Sequence, residues 1–253
     1  MTLYLIGLGL ATEKDISLRG LEIIKTCDLI YLENYTSLLQ TSVENLEQLY
    51  QKKIILADRK TAEQLDEKIV NEAKTKNIAF LIIGDPVAAT THIELFKLAK
   101  EKNVNVQIVH NASILTAIGT TGLQLYKFGR TTSIPFLEDV PQLETPYTIY
   151  RENNLLSTHT LFLLDLKPEL NKYMTVNKAL EILESIEKKK HENIIKNDLL
   201  VIGCARLGCN DFIIKAGPLE KIKKFDFGEP PHCLIIPAKN LHFIEKEMLE
   251  LWK

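Results

Sequence analysis

Short apolar runs alternate with amphipathic stretches through the first half of the chain, and this alternation most constrains the fold. Between the runs lie helical patterns, such as the 61–75 segment, where four apolar residues share one helical face. They are Ala62, Leu65, Ile69 and Ala73. Such alternation predicts a mainly parallel sheet with helices on both faces. The predicted strands are Leu3–Ile6, Leu29–Leu32, Ile54–Leu56, Ala79–Ile83 and Val104–Val109.

An early helix is expected after Ser17, whose hydroxyl suits an N-cap. Its inward positions are predicted to be Leu18, Leu21, Ile24 and Cys27.

The pattern changes after about residue 125, at YKFGRTT. A long helix is predicted from about Thr175 to Lys189, with Val176, Ala179, Leu180, Leu183 and Ile186 on one face. A closing helix has Leu241, Ile244, Met248 and Leu251 at helical spacing. The predicted strands are TSIPF, THTLFLLDL, Leu199–Cys204, Phe212–Lys215 and Cys233–Ile236, and LEDVPQLETPY is taken as a connection. The fold class is therefore α/β with two α/β domains, residues 1–126 with a mainly parallel sheet and 127–253 with a mixed one.

Composition limits the function. The 253 residues are 45% hydrophobic and 25% charged with a net charge of −2, which fits a globular protein and disfavours nucleic acid as a partner. We expect no membrane association and a cytoplasmic protein, because no secretory leader and no apolar stretch of about 20 residues is found. The four cysteines form no Cys-x-x-Cys pair, so buried free thiols are expected and no metal site.

The GLGL segment at 7–10 follows the first predicted strand. A dinucleotide fingerprint would need a third glycine at position 12, which is Thr12, and a helix starting there rather than near Ser17. Nicotinamide or flavin binding is therefore disfavoured.

Two further segments follow predicted strands, where open α/β sheets bind ligands. Gly84-Asp85-Pro86 is a stiff turn whose carboxylate suits a hydroxyl or an ammonium. In His110-Asn111-Ala112-Ser113-Ile114, Asn111 suits a helix cap, and Ser113 offers backbone and hydroxyl groups to the same crevice.

No Ser-His-Asp arrangement, phosphate loop or His-Glu-x-x-His helix occurs, which favours a reaction that depends on positioning. In the second half, Asp165-Leu166, Ala205-Arg206-Leu207 and Pro230-Pro231-His232 lie at the edges of apolar runs.

Nine segments in order along the chain resemble the diphthine synthase family. They are LYLIGLGL, ENYTS, GDPVAATTH, HNASI, GLQLYKFG, LLDLK, YMTVNKAL, ARLG and GEPPH.

The resemblance implies a tetrapyrrole methylase-like methyltransferase with two α/β domains and an S-adenosylmethionine cleft between them. It implies methylation of the aminocarboxypropyl-modified histidine of translation elongation factor 2, so a protein substrate, together with a homodimer and no metal. The residues themselves identify no general base, and water could take that role. The residues it implies for S-adenosylmethionine are Leu10, Asp85, Ala88, Ser113, Ile114, Leu166, Leu207 and His232. Family members usually carry a branched apolar residue where this chain has Ala88.

Two alternatives remain open at this point. One is a methylase of the same fold that acts on a tetrapyrrole. The other is a nucleotide-binding regulatory module without catalysis.

Overall fold

The computed structural model describes residues 1–33, 37–57, 62–90 and 92–253, with backbone only for 62–65. The ENYTS segment at 33–37 therefore lies mostly outside the described residues. The chain divides into two compact units, Met1–Ala117 and Ile118–Lys253.

The first unit contains a five-stranded sheet in which every pairing is parallel, in the order β3-β2-β4-β1-β5. The parallel sheet predicted from the sequence is confirmed, with strand ends displaced by at most one residue. Its strands are β1 (Thr2–Gly7), β2 (Leu29–Glu33), β3 (Ile55–Ala57), β4 (Ile78–Ile82) and β5 (Asn105–Val109).

Helices cover both faces of this sheet, as predicted. On one face, Leu3 and Leu5 pack with the buried residues of α3 and α4. On the other, Ile6 packs with those of α1 and α2. The helices are α1 (Leu18–Thr26), α2 (Val43–Tyr50), α3 (Ala62–Glu72), α4 (Ile93–Glu101) and the short α5 (Ile114–Ala117).

The predicted start of α1 is confirmed, because the hydroxyl of Ser17 accepts a hydrogen bond from Gly20 N at 3.1 Å. Ile24 and Cys27 are fully buried, and Leu21 packs against the same core. The inward assignment of Leu18 is wrong, since its side chain is 80% exposed at the first helical position. In α3, Ile69 and Ala73 are buried, whereas the side chains of Ala62 and Leu65 lie outside the described residues.

The second unit contains a mixed five-stranded sheet in the order β11-β10-β12-β7-β6. Only β6 and β7 pair in parallel among its neighbours, so the predicted mixed sheet is confirmed. Its strands are β6 (Thr132–Ile134), β7 (Thr160–Leu164), β10 (Leu200–Ala205), β11 (Ile213–Pro218) and β12 (His232–Ile236). A separate hairpin joins β8 (Leu166–Lys167) to β9 (Lys172–Tyr173).

The helices of this unit are α6 (Thr145–Leu155), α7 (Val176–Lys190), α8 (Leu219–Ile222) and α9 (Phe243–Glu250). All five predicted inward positions of α7 are buried, and the Thr175 hydroxyl caps it. The predicted closing helix is confirmed as α9, but its apolar spacing does not mark the buried face, because Ile244 and Leu251 are exposed while Glu245 and Leu249 are buried.

The boundary between the compact units falls at Ala117 and Ile118, earlier than the expected 126. Residues 118–126 bond within the second unit: Thr121 O accepts from the indole of Trp252, and Gln124 N donates to Glu245.

All four cysteines are buried and none forms a disulfide, as expected. None of the helices among the described residues has the length and apolar character needed to cross a bilayer.

Candidate functional site

Five of the predicted site residues lie at one edge of the first sheet. Strands β4, β1 and β5 are parallel neighbours, so their carboxyl ends meet there. Leu10 follows β1, Asp85 and Ala88 follow β4, and Ser113 and Ile114 follow β5. We call this set of strand ends the carboxyl edge.

Glycines allow the backbone segments after β1 and β4 to approach each other closely at the carboxyl edge. Gly9 and Gly84 form an isolated antiparallel bridge, with Gly84 N donating to Gly9 O at 2.8 Å. Gly84 has φ +83°, a region that side chains disfavour, while a Cβ there would meet no atom closer than 3.8 Å. At Gly7 a Cβ would lie 2.6 Å from the carbonyl oxygen of Gly84. The GLG segment thus serves close strand-end packing.

The carboxylate of Asp85 joins the loops after β4 and β5. Its Oδ1 accepts from Val87 N at 3.0 Å, and its Oδ2 accepts from Asn111 N at 3.1 Å and from Nδ1 of His110 at 2.8 Å. Asp85 is buried, whereas the side chain of His110 is 67% exposed. The carboxylate therefore fixes an imidazole that faces solvent.

Asn111 holds the loops together instead of capping a helix. Its amide donates to the carbonyls of Gly7 and Asp15, each at 3.0 Å. The buried Ser113 precedes α5, and its carbonyl accepts from Thr116 N and Ala117 N. Leu10, Ala88 and Ile114 are half-buried at the same edge.

The other three predicted residues lie at one edge of the second sheet. Ala205 pairs with His232, and Leu163 pairs with Cys233, so β7 and β10 end where β12 begins. Leu166 and Leu207 lie two residues beyond those ends and are buried. We call this the His232 edge. The predicted strand through Leu166 ends earlier, at Leu164. Asp165 interrupts it, and its Oδ1 accepts from Leu166 N at 2.9 Å.

Arg206 fixes the two loops of the His232 edge. This buried residue adopts φ +51°, and its Nε and Nη2 donate to Asp211 at 2.8 and 3.0 Å. Its Nη1 donates to the carbonyl of Glu229, and its backbone N donates to the carbonyl of Pro231. The positions of Leu207 and His232 thus depend on one guanidinium.

His232 presents an unsatisfied acceptor. Its Nε2 donates to the carbonyls of Gly228 and Glu229 at 3.1 and 3.2 Å, which leaves Nδ1 with a lone pair. Nδ1 is buried and has no hydrogen-bond partner among the described residues. Burial lowers the pKa of the ring below its ordinary value, outweighing those carbonyl contacts, so the imidazole is neutral at neutral pH.

Each edge, taken by itself, presents polar groups fixed at strand ends, where α/β sheets bind ligands. The family model for tetrapyrrole (corrin/porphyrin) methylases matches residues 2–223. The fold and this match define the class of protein as a methyltransferase of the tetrapyrrole methylase fold.

Similar proteins of known name identify the family within this class of methyltransferases. Diphthine synthase of Methanococcus aeolicus is 45% identical, covering 98% of this chain and 96% of its own. Diphthine methyl ester synthase of Mus musculus is 42% identical, covering 99% and 96%. A crystal structure of diphthine synthase superposes with a TM-score of 0.89 at 36% identity, covering 100% of this chain and 96% of the other. The chain belongs to the diphthine synthase family and is a methyltransferase of diphthamide biosynthesis.

Sequence reasoning missed two features of the site. The side chain of His110 was not singled out, although it stands beside Asn111; its contact with Asp85 depends on the strand order, in which β1 separates β4 from β5. The Ala205-Arg206-Leu207 segment predicted a role for Leu207 and none for the side chain of Arg206. Arg206 is buried and directly follows β10. An arginine in such a place is the signal for a side chain that holds two loops together.

Proposed function

We propose that the chain transfers methyl groups from S-adenosylmethionine to the aminocarboxypropyl-modified histidine of elongation factor 2. The observation that carries this proposal is full-length similarity, at up to 45% identity, to diphthine synthases and diphthine methyl ester synthases. The relatives' names supply the product class, and the donor is the usual one for methylases.

The residues present suit this donor. The lone pair on Nδ1 of His232 would accept from an N–H or O–H of adenine or ribose, which relieves a buried acceptor. Leu166 and Leu207 offer apolar surface at the same edge. Gly84 leaves its surroundings open to a ligand, since a Cβ there would make only ordinary contacts. The donor contacts proposed are Leu10, Asp85, Ala88, Ser113, Ile114, Leu166, Leu207 and His232.

The donor supplies an electrophilic methyl group on a sulfonium. The chain's own contribution is to hold that methyl and the acceptor nitrogen in line and to exclude water, which supplies a large part of the rate enhancement. Rigid loops serve this purpose, and Asp85, Asn111 and Arg206 make them rigid through hydrogen bonds to loop backbone.

A homodimer in the cytoplasm is part of the proposal, as is a folded protein as substrate. Size-exclusion chromatography with light scattering tests the dimer, for which twice 28.8 kDa is expected.

The decisive experiment follows the intact mass of elongation factor 2 that carries the aminocarboxypropyl histidine. Incubation with this protein and S-adenosylmethionine is expected to add methyl groups stepwise, about 14 Da each, to that histidine. Elongation factor 2 with an unmodified histidine is the matched control and stays unchanged. No transfer to the modified histidine would refute the proposal. Methylation of a corrinoid or porphyrin precursor would then support the tetrapyrrole alternative.

A further inference from the structure

We propose that His110 is the general base that removes a proton from the acceptor amine before each methyl transfer. This inference rests on the proposed function and adds a residue for proton transfer. The observation behind it is the pairing of Asp85 with His110 at the carboxyl edge.

The tautomer of His110 follows from its partner. An ionised carboxylate only accepts hydrogen bonds, so Nδ1 of the neutral ring carries the proton that it shares with Asp85. Nε2 then holds the lone pair. No described residue hydrogen-bonds to Nε2, and the side chain is 67% exposed, so this nitrogen is available to a substrate. A carboxylate that orients an imidazole and stabilises its protonated form is the arrangement used for general bases.

Asp85 is itself held in place. It is buried and accepts two backbone N–H groups, from Val87 and Asn111, in addition to His110. A buried histidine would usually have its ring nitrogens bonded to protein groups. His110 instead has one anchored nitrogen and one that faces outward, at the edge where strand ends carry the proposed donor contacts.

Asp15 and Glu33 are other carboxylates near this edge. Asp15 accepts from Ala11 N at 2.7 Å, and Glu33 is buried at the end of β2. The helix α5 that follows His110 has the sequence ILTA and contains no titratable side chain. Asp85 is the carboxylate that bonds to the imidazole.

Each methyl transfer to the acceptor amine moves one proton and one electron pair. The acceptor ammonium gives one proton to Nε2 of His110, and the freed nitrogen lone pair attacks the methyl carbon. The carbon–sulfur bond breaks, its electron pair stays on sulfur, and the sulfonium becomes a neutral thioether. The imidazolium returns its proton to solvent. Each further methylation repeats the cycle until the nitrogen has no proton left.

The test compares His110→Asn with the wild type in amine methylation. At about pH 7 the rate is expected to fall roughly 100-fold or more, the usual contribution of a general base. The defect is expected to shrink towards about pH 9.5, because the free amine then forms without help. Donor affinity by calorimetry stays within about threefold, since Asp85 remains. Imidazole in the buffer is expected to restore part of the rate of His110→Ala.

His191→Asn is the matched control, because His191 is exposed and lies at the left-handed C-cap of α7, which asparagine tolerates. Its rate is expected to equal that of the wild type. A loss in His110→Asn that is the same at both pH values, or no loss while the wild type methylates, would overturn the assignment. If the wild type transfers no methyl, the proposed function fails first and the base assignment with it.

Discussion

At the residue scale, two glycines of the carboxyl edge are required for different physical reasons. Gly84 is required by its positive φ, whereas Gly7 is required by space. Gly84→Ala is expected to cost about 1–2 kcal/mol, the penalty of left-handed backbone. Gly7→Ala is expected to cost about 2–3 kcal/mol through overpacking against the carbonyl of Gly84. Urea unfolding midpoints measure both.

Asparagine at the same positions separates the two causes. Gly84→Asn is expected to be less destabilising than Gly84→Ala, because asparagine tolerates left-handed backbone. Gly7→Asn is expected to be more destabilising than Gly7→Ala, because the added atoms extend the clash. The same order at both positions would contradict this assignment.

The sequence identified the strand ends of the site, but it did not identify the bonds between them. Asp85 and Ser113 could be selected from their place after apolar runs. The contacts of Asp85 with His110 and of Asn111 with Gly7 join segments that are distant in sequence. Such contacts depend on the order of strands in the sheet, which periodicity does not encode.

At the element scale, α9 is anchored by a buried charge instead of by an apolar face. Glu245 is fully buried and accepts from Nε2 of His159 at 3.0 Å and from Nζ of Lys127 at 2.5 Å. Its carboxylate also accepts from Gln124 N and His242 N. This is why apolar spacing alone does not mark the buried face of this helix.

The Glu245 network makes stability depend on pH. Burial raises the pKa of this carboxyl, but the hydrogen bonds from Lys127 and its other partners outweigh burial and lower the pKa to about 2. A depressed carboxyl pKa stabilises the fold above the ordinary value near 4.5, and that stabilisation disappears as the pH falls towards 2. Glu245→Gln is therefore expected to cost on the order of 3 kcal/mol at neutral pH, and less near pH 3. Urea midpoints across this range measure the difference.

Glu250→Gln in the same helix is the control. Glu250 pairs with Lys253 on the surface, so its loss is expected to change stability by less than about 0.5 kcal/mol. A deficit of Glu245→Gln that stays constant from neutral pH to about pH 3 would contradict the depressed pKa.

Helix α6 shows a second limit of pattern reasoning. The sequence indicated a connection through residues 137–147, yet α6 begins at Thr145 with Pro146 in its first turn, where proline is tolerated. Its buried face is formed by Tyr147, Tyr150 and Asn153, and Asn153 bonds to Arg130 O and Thr160 Oγ1. A helix whose buried face includes hydrogen-bonded polar side chains has a weak apolar pattern in its sequence.

At the scale of the whole molecule, the cysteines report on opening of the two units. Cys27 lies in the first unit, and Cys204, Cys209 and Cys233 lie in the second. All are buried, and burial together with nearby Asp28 raises the pKa of Cys27 to about 11, so little reactive thiolate forms. Thiol reagents are expected to label the native protein slowly and all four thiols in urea. Reductant is expected to leave the melting temperature unchanged, because the cysteines form no disulfide.

Labelling rates then test whether the donor binds residues of both units, as proposed. When labelling requires unfolding, a ligand that binds only the folded state slows it by a factor of 1 + [L]/Kd. This factor is about 100-fold at a ligand concentration of 100 times Kd. S-adenosylmethionine is expected to protect the peptide with Cys27 and those with Cys204, Cys209 and Cys233, because the proposed contacts include Asp85 in one unit and His232 in the other. Peptide mass spectrometry resolves the labelled sites. Free methionine, which lacks the adenosyl group, is the control ligand. Protection confined to the thiols of one unit would restrict the donor contacts to that unit and remove the others from the site.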